Sequence, residues 1–314
     1  MKTTICFVTC RLIAVLCLCA LPSYGGQAAH ELDGDHAIAL PVERHNEPGL
    51  REKTEEHPIA GAFAFANRAG TELLVTDQDA PENNAAVKTF SKAVCPGNQV
   101  FDVKFVGHQS RGKQDSGRAT SHNFTNVAGS VFHIVDGKVK ADDACLLAPE
   151  TYIQDKRLLP MKLTNAPVKQ ARPVSAPGCD AKTKGSLPRQ QGRAPKDCWQ
   201  LAQIGEDVRL LAMLYEPQGK DLLAALVLEA GGKHFVYEMA AQASPISAWR
   251  EGDGGQFDPA TLAPLFVLQN ARDGSWDVGI SWAGEEGADL RVFRSASAST
   301  FKKIVSGYFY WYPE

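Results

Sequence analysis

From residue 199 to residue 314, short apolar runs alternate with turn-forming residues, and this alternation restricts the possible folds more than any other feature. RLLAMLY and LLAALVLE are each long enough for one strand, and turns such as EPQGKD and AGG separate them from their neighbours. In WDVGISW, Trp276, Val278, Ile280 and Trp282 would share one face of a strand, because side chains alternate between the two faces. The pattern predicts about eight antiparallel strands in a meander, as in a sandwich, a barrel or propeller-like sheets.

Residues 61–161 are expected to form a separate α+β domain. TELLVTD and VFDVKFVG are strand-like runs. Between them, Val87, Phe90 and Val94 have helical spacing and predict a helix. Asp136–Gly137 lies between two further strand-like runs and predicts a β-hairpin, because a tight type I′ turn favours these residues. The chain is therefore expected to be mainly β with some α, in two domains, the second being the antiparallel β domain 199–314.

Residues 1–29 have the pattern of a cleavable signal peptide. Lys2 and Arg11 are followed by the apolar run LIAVLCLCAL and then by small residues. The run is too short to cross a bilayer, and no later run is longer, so the mature chain is expected to have no transmembrane segment and to be periplasmic or secreted. A lipid anchor at Cys17 or Cys19 remains the alternative. Residues 30–60 are acidic and broken by Pro and Gly, which favours a disordered leader.

Four cysteines follow the signal peptide, and they predict two disulfides in an oxidising compartment. Sequence proximity favours Cys95–Cys145 and Cys179–Cys198, although all three pairings of four cysteines remain open. None of the four lies in a C-x-x-C motif, so neither a redox site nor a zinc site is indicated.

Residues 162–198 form a basic, Pro-rich connector with eight basic and two acidic residues, between a neutral and an acidic segment. Its second part is bracketed by Cys179 and Cys198. This part is either a loop that binds an anionic ligand or a stapled linker between the domains. The residues predicted to bind such a ligand are Lys182, Lys184, Arg189, Arg193 and Lys196.

The aromatic C-terminus, GYFYWYP, is a second candidate binding surface. In a strand, Tyr308, Tyr310 and Tyr312 would share one face, where they could stack on sugar rings. Ordinary core or edge packing is the competing interpretation.

Catalytic motifs are weak in this chain. There is no G-x-S-x-G motif, and no metal-binding or cofactor-binding motif is recognised, so no cofactor is expected. His108 and His122 flank the polar loop 108–123, where they could form an acid–base cluster with nearby carboxylates. A hydrolase using this loop is therefore one alternative function.

We expect an exported envelope protein that acts as a non-enzymatic binding module for an anionic glycan or an envelope partner protein. Besides the hydrolase, an inhibitor or assembly factor that docks through an edge strand is an alternative. A nucleic-acid partner is not expected, because the basic residues lie on a connector rather than on a folded module, and because an exported protein rarely meets nucleic acid.

Overall fold

The computed structural model describes residues 61–79, 85–164, 177–250, 252–296 and 299–311. The predicted signal peptide, the acidic leader and the Pro-rich part of the connector at 165–176 lie outside these ranges. The described chain is mainly β, as predicted, and all of its sheets are antiparallel.

The first six strands form a closed barrel in the order β1-β2-β5-β4-β3-β6. Along β1, three alanines point into the barrel, whereas Phe63 and Phe65 point outward, so the small side chains fill the narrow interior. Cys95 and Cys145 are fully buried and form a disulfide that joins β3 to β6, in agreement with the predicted pairing. The strands are β1 (Ala62–Ala66), β2 (Glu72–Thr76), β3 (Lys92–Cys95), β4 (Gln99–Gln109), β5 (Gly129–Ile134) and β6 (Ala144–Ala148).

Two local predictions for this unit are wrong. The predicted helix around Val87, Phe90 and Val94 is a single 3₁₀ turn, Val87–Thr89, followed by β3. Strand pairing overrides the helical spacing here, because β3 completes the barrel between β4 and β6. The hairpin at Asp136–Gly137 is absent, since β5 already pairs with β2 and β4 and has no free edge for a third strand.

The remaining strands form two five-stranded sheets, named here sheet I and sheet II. Sheet I has the order β12-β11-β10-β9-β8, and sheet II has the order β16-β15-β14-β13-β7. The strands of sheet I are β8 (Met161–Leu163), β9 (Pro195–Ile204), β10 (Val208–Tyr215), β11 (Asp221–Ala230) and β12 (Lys233–Gln242). The strands of sheet II are β7 (Lys156–Leu158), β13 (Leu262–Asn270), β14 (Trp276–Ala283), β15 (Gly287–Ser295) and β16 (Phe301–Tyr310).

Sheets I and II pack face to face as a sandwich, and the other face of sheet II packs on the outside of the barrel. Trp276, Val278, Ile280 and Trp282 share the face of β14 that meets sheet I, as predicted. On the opposite face, Gly279 is needed for packing, because a Cβ there would lie 2.5 Å from a ring carbon of Phe266. Sheet II is therefore buried on both sides.

Two short α-helices and a second 3₁₀ turn, Pro259–Thr261, complete the described structure. Helix α1 (Glu150–Ile153) lies between β6 and β7, and α2 (Ala181–Ser186) precedes β9. The predicted domain boundary after residue 161 falls inside β8, and both β7 and β8 pair with strands of the sandwich. The division into domains itself stays a prediction.

Candidate functional site

The segment between the barrel and the main strands of sheet I forms a lid, defined here as residues 177–196 and so including the first two residues of β9, over the outer face of sheet I. This outer face is apolar on β10 and β11, where Leu211, Met213 and Val227 belong to a core that also includes Leu187 of the lid. Leu187 is only 5 % exposed. The stapled segment therefore lies on the sheet and closes a second hydrophobic core.

A disulfide, a helix cap and a buried arginine fix the lid. Cys179 is bonded to Cys198 in β9, as predicted, and its N–H donates to the Cys198 carbonyl at 2.9 Å. The Asp180 side chain caps α2 by accepting a hydrogen bond from the Thr183 N–H at 2.7 Å. This bond holds the pKa of Asp180 below its usual value. Arg193 is 7 % exposed and donates to the Asp221 carbonyl at 2.9 Å.

The five predicted cations of the lid and β9 have different environments. Lys182, Arg189 and Lys196 are exposed and form no ion pair with any other described residue. Lys184 is half-buried and donates to the Lys196 carbonyl. Arg193 is buried and bonded to the Asp221 carbonyl, so it holds the lid on sheet I and, contrary to the prediction, presents no charge at the surface.

A polar groove adjoins the lid on the same face of sheet I. Its volume is about 620 Å³, within the range of ligand sites, and it is open to solvent. Arg209 connects the groove to the lid, since its Nη1 donates to the Thr183 hydroxyl at 3.3 Å, while its Nη2 donates to both carboxylate oxygens of Glu229 at 2.9 Å. The lining residues are Gln200, Gln203, Glu206, Asp207, Arg209, Glu229, Gly231 and Gly232.

Sequence reasoning missed both the lid's position and the groove. A signal for the lid exists in β10 and β11, because LLAML and LLAALVL are continuously apolar rather than alternating, which is typical of strands covered on both faces. The groove begins where this pattern breaks, at Arg209 and Glu229, which are directly opposite each other in the strand register.

The aromatic C-terminus lies away from the lid, on sheet II. Tyr308 and Tyr310 are half-buried in β16 and share a face, opposite the buried Phe309. Tyr308 pairs across the strands with Asp289, and burial is the main reason that its pKa is raised. Tyr312 lies outside the described residues.

An aromatic and ionic cluster lies beside Tyr308, on the face of sheet II that meets sheet I. Trp282 is 6 % exposed and lies between two guanidinium groups, with Arg250 at 5.5 Å and Arg291 at 5.8 Å from its ring. Asp289 accepts hydrogen bonds from both arginines. The arginines are thus partly neutralised and their aromatic partner is covered, which favours a structural role for this cluster.

The loop 108–123 does not bring the two predicted histidines together in any described contact. His108 pairs with Asp77 through its Nε2, at 2.8 Å, whereas His122 is exposed. The loop packs along the end of β16, where the Ala119 N–H donates to the Tyr310 carbonyl at 2.8 Å.

Two buried carboxylates were not among the predicted site residues. Asp277 is 1 % exposed and is bonded to Arg294, Lys156 and Tyr152, so that it joins β14, β15, β7 and α1.

Asp79 follows β2, and burial raises its pKa to about 6, although hydrogen bonds from Thr76 and the Tyr308 N–H act in the opposite direction.

Over the described ranges, His, Cys, Asp and Glu side chains form no group of three or more that could hold a metal ion. The longest described helix, α2, has six residues, so no helix in this part of the chain could cross a membrane.

No protein-family model, no curated protein and no solved structure matches the chain.

Proposed function

We propose that this protein is an exported envelope protein that binds an anionic glycan through the lid. The observation that supports the proposal most directly is that Lys182, Arg189 and Lys196 are exposed, close together in sequence and without an ion-pair partner among the described residues. The two disulfides fit an oxidising compartment outside the cytoplasm.

The lid is suited to this role because its backbone is held in place. A flexible basic loop loses conformational entropy when it binds, and this loss weakens the complex. In this chain the disulfide, the cap at Asp180 and the buried Leu187 have already ordered the segment. The backbone positions that carry the three cations are therefore fixed before binding, and their attraction to a polyanion should weaken as salt is added.

The alternatives have less support. For the hydrolase, His108 pairs with Asp77, but no described contact joins this pair to His122. For docking through an edge strand, the edge of β12 is already partly covered, because the Val236 N–H donates to the Ser299 carbonyl at 3.1 Å.

The experiment is retention of purified protein on immobilised dextran sulfate, with neutral dextran as the reference matrix, in a series of salt concentrations. The test variant is K182Q/R189Q/K196Q. The matched control is K220Q/K302Q/K303Q, which removes three exposed positive charges elsewhere and so changes the net charge equally. We expect the test variant to elute at clearly lower salt than both the native protein and the control. Equal elution of the two variants would refute the proposal.

A further inference from the structure

The polar groove beside the lid has a chemistry that differs from that of the lid. Arg209 is the only Lys or Arg among the described lining residues, and it is bonded to both oxygens of Glu229, so the pair has no net charge. His234 lies beside this pair, with its Nε2 3.8 Å from a Glu229 oxygen. Glu206 and Asp207, at the far end, are exposed carboxylates. The groove as a whole is therefore acidic, although the neighbouring lid carries free cations.

The hydrogen-bonding groups of the groove are held in place by one another. Gln203 donates through its Nε2 to the carbonyls of Gly205, Glu206 and Val208, at 3.0 to 3.2 Å. Its side-chain oxygen accepts from Gln200 Nε2 at 3.2 Å. Among the described residues, none donates a hydrogen bond to the side-chain oxygen of Gln200.

Amide and carboxylate oxygens at this site suit ligand hydroxyl groups, which can donate hydrogen bonds to them. A second anionic group would instead be repelled by the exposed carboxylates of Glu206 and Asp207. The groove thus favours an uncharged sugar, while the adjoining lid favours an anionic one.

The lid and the groove are close enough for one chain to occupy both. Lys182 immediately precedes Thr183, and the Thr183 hydroxyl is hydrogen-bonded to Arg209 in the groove. A glycan that extends from Lys182 towards Thr183 would reach the edge of the groove at Arg209.

We propose that the groove lined by Gln200, Gln203, Arg209 and Glu229 binds an uncharged sugar next to an anionic sugar held by Lys182, so that the ligand is a glycan in which charged and uncharged sugars alternate. This inference rests on the proposed function, because it requires the lid to bind an anionic glycan. It adds the class of glycan and a second recognition surface.

The test compares two probes with equal numbers of carboxylates. Hyaluronan oligosaccharides carry a carboxylate on alternate sugars, whereas oligogalacturonates carry one on every sugar. We expect the native protein to bind hyaluronan about 10-fold more tightly than oligogalacturonate. This difference in affinity is equivalent to one or two hydrogen bonds. The substitution Gln200→Ala should weaken hyaluronan binding about 3- to 10-fold and leave oligogalacturonate binding unchanged. E206Q/D207N should strengthen oligogalacturonate binding, since it removes the repulsion.

Gln154→Ala, an exposed glutamine near the barrel, is the control for Gln200→Ala, and thermal unfolding checks that each variant is folded. Equal affinity for the two probes, or an unchanged affinity of the Gln200 variant for hyaluronan, would overturn the inference. The lid proposal would still hold if K182Q/R189Q/K196Q weakened the binding of both probes. If neither probe binds, the proposed function fails together with the inference.

Discussion

The hydroxyl of Tyr215 in β10 donates a hydrogen bond to the carbonyl of Pro188 in the lid, at 3.3 Å. Tyr215 is 1 % exposed, although its side chain lies on the outer face of an outer sheet. The lid thus acts as a further layer of the protein on sheet I, and its exposed cations are carried by a segment with a core of its own.

Leu187 is the main apolar anchor of the lid, so its truncation should loosen the lid. We expect Leu187→Ala to lower the free energy of unfolding by about 2–3 kcal/mol, the lower part of the range for buried leucines, because a surface segment can partly close the cavity. Urea unfolding measures this change, and limited proteolysis should detect cleavage within 177–196. A variant with native stability and native protease resistance would show that the lid does not depend on this contact.

The two disulfides should differ in their sensitivity to reductant. Cys179 is half-exposed, whereas Cys95 and Cys145 are completely buried in the barrel. We expect mild reduction followed by alkylation and mass spectrometry to label Cys179 and Cys198 first, because exchange requires access of the attacking thiolate. C179S/C198S should lose about 3 kcal/mol of stability, as for a loop of similar length. Labelling of Cys95 before Cys179 would contradict this account.

Asp277 should be essential for stability because two cations depend on it. Asp277→Ala leaves Arg294 and Lys156 without their buried carboxylate, and we expect a loss of about 3–5 kcal/mol in urea unfolding at neutral pH. Asp102→Asn is the control, since Asp102 forms an exposed ion pair with Lys92 and should change stability by less than about 1 kcal/mol.

The pH dependence of this effect has a defined sign. Burial acts to raise the pKa of Asp277, but Arg294 and Lys156 outweigh it and hold the pKa below its usual value. The stabilisation is therefore complete above the unfolded-state pKa of about 4 and is lost as pH falls through the lower folded-state value. The difference in free energy of unfolding between the native protein and Asp277→Asn should shrink below about pH 4. A difference that stays constant down to pH 2 would argue against an ionised Asp277.

Asp79 should have the opposite effect on stability. Burial raises its pKa to about 6, so the folded state holds a proton that the unfolded state releases near pH 4. Stability should therefore fall as pH rises from about 4 to about 6. We expect Asp79→Asn to be more stable than the native protein at pH 8, by up to about 3 kcal/mol, and nearly equal to it at pH 4. Asp136→Asn, at an exposed position, is the control and should change the stability at neither pH. If Asp79→Asn were less stable than the native protein at pH 8, the raised pKa of Asp79 would be refuted.

The β-meander could be predicted because its information is local. The central strands of the sandwich, such as β10, β11 and β13, are apolar runs bounded by turn residues, and the alternation around Trp276 and Ile280 marks which face is buried. The barrel could not be predicted in the same way, since its closure depends on the pairing of β1 with β6, for example Ala64 with Cys145, which no local pattern encodes.

The candidate site was only partly predictable for a similar reason. The cations between Cys179 and Cys198 are visible in the sequence, but their exposure depends on the side chains that the lid buries. Arg193 and Lys182 each add one positive charge to the lid, yet the Arg193 side chain is buried and the Lys182 side chain is exposed. The groove depends on the register of Arg209 with Glu229, which becomes apparent only once the strands are paired.

The central claim is that the exposed cations of the lid bind an anionic glycan, and the salt dependence of affinity tests it most directly. Fluorescence anisotropy of labelled hyaluronan oligosaccharide gives the dissociation constant of each protein at several salt concentrations. We predict that affinity falls steeply with salt for the native protein and for K220Q/K302Q/K303Q, and that K182Q/R189Q/K196Q binds weakly with a shallow dependence. Identical salt dependence in all three proteins would contradict the account.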